Sequence, residues 1–348
     1  MPQTSDTATD SDQQWSMPAE WAPHERCVLA WPTRHELWNP YYPQAKAAYA
    51  ETANAIAQFE PVLMVCNPGA AAEVRASCTA SVEVVELAID DSWLRDSGPQ
   101  IVLDGHGHRR GVDFAFNSWG NRWHPYDQDA TISARLLDYL DIARLERAMV
   151  LEGGSITVDG EGTLITTEQC LLNPNRNPEL SQAEIEAELR TYLGVERVVW
   201  LPFGHAADRH TDGHVDGVCT FVAPGVVFAQ RCDDPANPDH ERMAANLEVL
   251  RNSVDAAGRP FEVIEFPFYP YVAMPDGRST MVSYANFYLA NGAVVVPTAG
   301  HEFDAEALSL LAKTFPDREV VGVGGEVVSV GGGGVHCITQ QIPAAIPS

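Results

Sequence analysis

Positive charge is scarce in this 348-residue chain: 22 lysines and arginines face 48 aspartates and glutamates, a formal net charge of -26 at pH 7. A surface that acidic repels nucleic acid and anionic membrane, and its field gathers small cations. Solubility alone would also account for it, so the residues themselves must say whether a cation binds. No 18-residue apolar run is present, and the sequence therefore gives no transmembrane span. The opening stretch MPQTSDTATDSDQQ has neither a basic start nor an apolar core, which argues against a signal peptide. It reads as a short disordered tail, 1–16, ahead of a single domain, 17–348, since no linker divides the rest. The seven cysteines (Cys27, Cys66, Cys78, Cys170, Cys219, Cys232 and Cys337) are scattered, with no CxxC pair. An odd, dispersed set argues against a disulfide framework and fits a reducing cytoplasm. No GxGxxG opens a helix and no Walker GK[ST] occurs, so a nucleotide role has little support.

What the chain does contain is a recurring unit. Helical periodicity is expected over Ala45–Phe59, Thr131–Leu140, Gln182–Tyr192, His240–Asn252 and Ala305–Thr314, with Ser181 and Glu184 forming a capping box. Each helix is followed by short apolar strands, then by a Gly- or Asp-bearing segment, then usually by a hairpin. Those segments are WLRDSGP (93–99), LEGGS (151–155), TDGHVDG (211–217), SYANF (283–287) and SVGGGGVHC (329–337). They recur at intervals of roughly 60 residues, which predicts a closed ring of similar modules. The last hairpin lacks its partner strand, and the early strand Cys27–Trp31 is expected to supply it. An ordinary α/β sheet with irregular loops is the alternative on pattern alone.

Chemically loaded residues stand at the same place in four of the five units: Asp96, Glu152, His214 with Asp216, and Cys337. In an extended strand Asp212, His214 and Asp216 share a face. A metal held by Asp212, His214, Asp216 and Glu152 is one reading of that alternation. Cys337 follows four glycines, a run that lets backbone approach a ligand closely at a cost in stability. Such a segment favours a nucleophile over an inert core thiol, although nearby carboxylates raise a thiol's pKa. A bound cation relieves that conflict, because it pairs with the carboxylates and stabilises the thiolate.

These segments, in this order, resemble the agmatine deiminases and related bacterial arginine-type deiminases of the guanidino-group-modifying superfamily. The resemblance runs from MPAEWAPHE (17–25) through LEGGSITVDGEGTLITTEQCLLNPNRNP (151–178), GHVDG (213–217) and SYANFYLANGAVVVP (283–297) to HCITQQIP (336–343). It implies an α/β fold, a five-bladed pseudo-symmetric propeller of ββαβ modules in one catalytic domain. It also implies a deiminase that takes a small cationic guanidine, with no metal and no organic cofactor. Cys337 would be the nucleophile and His214 the general acid and base. Asp96 and Asp216 would hold the guanidinium, and Glu152 would pair with both guanidinium and His214. Trp93 and Trp119 would line the channel. An amidinotransferase would use the same residues, and a homodimer is the ordinary expectation. Two departures bear on the substrate tail: ADRHTDG (207–213) carries Arg209 and His210, and the stretch from Phe268 to Ser283 is short. Asp212 and Arg209 are accordingly candidate substrate contacts, and an inward Arg209 would favour a carboxylate-ended guanidine over agmatine.

Overall fold

The computed structural model describes residues 14–267 and 271–345, and Phe268 and most of the expected tail lie outside them. The end of that tail belongs to the fold. Ser16 pairs with Leu103 through two backbone hydrogen bonds, and the Trp15 ring lies under the Arg110 guanidinium at 4.3 Å.

Five sheets share one plan, an antiparallel hairpin whose second strand pairs in parallel with the strand after the next helix. The first begins with β1 (His24–Ala30), β2 (Val62–Cys66) and β3 (Val82–Glu86). β4 (Gln100–Leu103), β5 (Arg109–Ala115) and β6 (Ala143–Val150) form the second; β7 (Ile156–Val158), β8 (Thr163–Thr167) and β9 (Arg197–Leu201) form the third. β10 (Cys219–Ala223), β11 (Val226–Arg231) and β12 (Glu262–Pro267) follow. After a two-stranded ribbon, β13 (Val272–Ala273) with β14 (Ser279–Thr280), come β15 (Tyr288–Ala290), β16 (Ala293–Thr298) and β17 (Glu319–Gly324). The last strand, β18 (Thr339–Pro343), runs antiparallel to β1 and completes the first sheet, as the missing partner required.

The helices form where the periodicity placed them and for the expected reason. Helix Tyr42–Ile56 buries Ala45, Tyr49, Ala53 and Ile56 along one stripe, packed with Leu29 and Met64 of the first sheet. Helix Gln182–Leu193 starts at the Ser181–Glu184 capping box, ends on left-handed Gly194, and buries Ile185, Leu189 and Leu193. Each such side chain contributes about 1.5–3 kcal/mol by leaving water. β6 begins earlier than its apolar end at Met149 suggested, because Arg144 and Arg147 extend it on solvated faces, paired with Asp113 and Glu188. All seven cysteines are free, and no helix among the described residues is long and apolar enough to cross a membrane.

Candidate active site

The segment before the first strand of each hairpin folds into a tight turn, and these turns meet. Asp96 lies in the turn Leu94–Ser97, Glu152 precedes Gly153–Ser155, His214 precedes Val215–Gly217, and Cys337 lies within His336–Ile338. The 94–97 turn packs on both 153–155 and 336–338, and 153–155 packs on 215–217. Positions far apart in sequence therefore share one buried centre.

Gly154 marks the middle of it. A methyl group on its Cα would stand 2.6 Å from His214 Nδ1, 2.9 Å from Asp96 Oδ1 and 3.0 Å from Asp216 Oδ2. Its backbone N–H donates to Asp96 Oδ1 at 3.0 Å, and the Trp119 indole N–H donates to Oδ2 at 2.9 Å. Gly154→Ala is therefore expected to lower kcat about 100-fold, the usual effect of roughly 1 Å of misplacement among reacting groups. Steady-state kinetics beside a thermal melt would check this; an unchanged kcat would mean the three side chains do not act together.

Cys337 Sγ lies 3.4 Å from Asp216 Oδ2 and receives a hydrogen bond from Asn286 Nδ2 at 3.3 Å. The glycine run lets backbone pass close to the site's own residues: side chains at Gly333 and Gly334 would collide with Trp93, Cys337 and Asn286. His214 sits between two acids at ion-pair range, 3.7 Å from Asp96 and 3.8 Å from Glu152. Burial alone would lower the pKa of His214, but Asp96, Cys170 and Glu152 raise it well above the usual histidine value. Burial, then Asp216 and Asp96, push the Cys337 thiol well above its ordinary range, against the opposing pull of the Gly334 N–H and Asn286. These neighbours favour the thiol over the thiolate, and a cation beside the two carboxylates would work the other way. Inactivation by iodoacetamide should accordingly keep accelerating as pH rises past about 9, because the folded thiol titrates above its reference value. A plateau near neutral pH, read as activity loss, would contradict that.

Glu152 is wholly buried, and burial alone would raise its pKa. Arg176 reverses this first, then His214, and the carboxyl ends below its ordinary value. The Arg176 Nε–H donates to Oε1 at 2.6 Å. Sequence reasoning misses Arg176, although NPNRNP lies inside the long matched block. It misses Asn286 as well, since the SYANF segment stands out but its amide does not titrate. His336 is visible in sequence only as the neighbour of Cys337. It bridges Asp216 Oδ2 (2.9 Å, through Nδ1) and Glu20 Oε2 (2.8 Å, through Nε2), and the MPAEW segment so reaches the centre.

A cavity of about 480 Å³ opens onto His214, Asp216, Asn286 and Cys337, a volume suited to a small ligand. Its outer wall comes from Ala207, Asp208, His210 and Thr211 and from the ribbon around Arg278–Met281. A larger, shallower groove of about 830 Å³ beside helix Tyr42–Ile56 gathers only dispersed polar groups, among them the Lys46–Glu73 pair. Four expected contacts lie off its wall. Asp212 does not share a strand face with His214: it takes a left-handed φ of 65°, Gly213 follows at 101°, and the carboxylate turns to Arg122, Asn175 and Arg176. Arg209 is exposed and off the cavity wall, while His210 lines it. Trp93, stacked on Trp38, and Trp119 are buried behind Cys337 and Asp96; the indole on the wall is Trp123.

The sequence profile of the Porphyromonas-type peptidyl-arginine deiminases matches residues 16–343. The chain belongs to that family. An agmatine deiminase of Pseudomonas aeruginosa (strain LESB58) is 44% identical over 361 residues, covering 97% of this chain and 98% of its own. An agmatine deiminase of Medicago truncatula is 42% identical over 359 residues, covering 94% and 96%. The solved agmatine deiminase of Enterococcus faecalis superposes with a TM-score of 0.92 at 35% identity, covering 96% of this chain and 97% of that one. The mixed α/β fold of this deiminase-family chain is thus shared along nearly its whole length. The metal set Asp212, His214, Asp216 and Glu152 does not assemble, because Asp212 faces the arginines.

Proposed function

We propose that the chain is a guanidine deiminase that converts agmatine and water to N-carbamoylputrescine and ammonia. The observation that carries this reading is the placing of Cys337 Sγ, His214 and two carboxylates, Asp96 and Asp216, around one buried point beside a small cavity. The carboxylates fix the planar guanidinium by charge-assisted hydrogen bonds and present its carbon to Cys337. As the cation binds, it offsets the acids that hold the thiol protonated, the sulfur gives its proton to solvent, and the thiolate attacks. The tetrahedral centre expels one nitrogen, which leaves as ammonia with a proton from His214, and an amidino-thioether remains. Neutral His214 then takes a proton from water, which displaces the thiolate and leaves the urea. Glu152, held by Arg176, keeps His214 charged until that proton is used.

Agmatine is favoured over carboxylate-ended guanidines because Arg209 faces solvent, where screening weakens its pull on a substrate tail. Arg278 reaches the cavity mouth already paired with Asp276. The expected result is a kcat/KM for agmatine at least about tenfold above those for arginine and 4-guanidinobutyrate, roughly 1.4 kcal/mol of discrimination. Measuring ammonia and the urea product across the three decides it, and a tenfold preference for either carboxylate would overturn the choice. We further read the five sheets as blades of one closed, pseudo-symmetric ring, with 17–348 acting as a single catalytic unit. The shared sheet plan, the meeting of the turns and the β1–β18 pairing support that arrangement.

A further inference from the structure

A thiol that the reaction does not use lies behind His214. Cys170, in the short helix Glu168–Leu171, is fully buried. Its Sγ, a Glu152 oxygen and a His214 ring nitrogen lie within 4.8 Å of one another. Glu152 Oε1 is taken by Arg176, but Oε2 has no hydrogen-bond partner, and neither ring nitrogen of His214 has one. Glu152 Oε2 and His214 Nε2 face each other at 3.8 Å, too far for a hydrogen bond, and a ligand of both atoms would satisfy buried groups that are seldom left without one.

We propose that Glu152, Cys170 and His214 form an inhibitory site for a zinc-like divalent cation. Thiolate, imidazole and carboxylate make up the donor set of Zn²⁺ and similar borderline ions, and three protein ligands leave one position open. Hard ions such as Mg²⁺ and Ca²⁺ want oxygen alone and find one oxygen here. Of the surrounding charges, Arg176 opposes a cation, while Asp96 and Asp216 favour it. With the Cys170 thiolate and Glu152 counted, the balance is negative. His214 lines the cavity, so an entering ion meets its ring first. Binding forms a metal–sulfur bond as the Cys170 S–H gives its proton to solvent, and a protonated His214 gives up one as well. Affinity therefore rises with pH. A ring nitrogen committed to metal can no longer carry the proton that ammonia and water exchange, so turnover stops and a chelator restores it. Binding stands independently of the deiminase reading; only the loss of turnover rests on it.

Cobalt(II) tests the site without an assay of turnover, since a thiolate–cobalt charge-transfer band reports direct sulfur ligation. The metal-free protein should gain this band at one ion per chain and lose it to Zn²⁺. The band should persist in Cys337→Ala and vanish in Cys170→Ser and Cys170→Ala. Each Cys170 variant, compared with its own metal-free rate, should need about tenfold more Zn²⁺ or greater for the same inhibition. Should the Cys170 variants not fold by circular dichroism, retention of the band in Cys337→Ala and its loss in His214→Gln locate the ion instead. Absence of the band in the wild-type protein would overturn the proposal. Its loss in Cys337→Ala would do so too, by placing the ion on the nucleophile.

Discussion

Cys337→Ala is expected to abolish turnover, by on the order of 10⁵-fold, with the guanidine still bound. The size follows from the covalent route: without sulfur there is no amidino intermediate, and water must attack a resonance-stabilised guanidinium directly. Binding is expected to survive because the proposed cation holders, Asp96 and Asp216, stay ordered through Trp119, Gly154 and His336. Affinity is expected to hold or to tighten, since the variant removes a group that must lose its proton when the cation arrives. Ammonia release and isothermal titration calorimetry on the same preparation separate the two quantities. Activity within tenfold of wild type would remove Cys337 from the role of nucleophile.

His214→Gln is expected to slow both covalent steps by roughly 10³-fold, the usual scale for losing a positioned acid and base. On the proposed route one imidazole serves twice, giving a proton to ammonia and taking one from water, and it stands 3.7 Å from Asp96 and 3.8 Å from Glu152. Glutamine keeps an amide N–H toward either acid, so the fold and the buried charges near Arg176 are spared. Rapid quenching and intact-mass measurement follow the amidino adduct directly. If the adduct reached full stoichiometry at the wild-type rate and then persisted, His214 would serve hydrolysis alone.

Much of this centre was legible in the sequence because the repeat is carried by simple physical signals. Alternating apolar residues, Gly-bearing turns and the Ser181–Glu184 box placed the modules, and the position before each hairpin picked out Asp96, Glu152, His214, Asp216 and Cys337. What could not be read was pairing across the centre. Arg176 answers the charge of Glu152 from another turn, and Glu20 answers His336 from the far end of the chain. Asp212 shows the opposite failure. Its alternation with His214 and Asp216 looked like one strand face, yet left-handed φ at 212 and 213 makes the segment a turn. Strand logic had no bearing there, and the carboxylate went to the arginines.

The pairing of β18 with β1 has a consequence for inactivation. β18 begins two residues after Cys337 and occupies the edge of its sheet, held on one side by residues from the opposite end of the chain. All of β18 is buried, and it is tied to β1 from His24↔Pro343 to Leu29↔Thr339. The placement of the sulfur therefore depends on a strand from the far side of the sequence, and a substitution that weakens β1 would act on the chemistry without touching it. Two distant segments clasp the turn that carries Cys337.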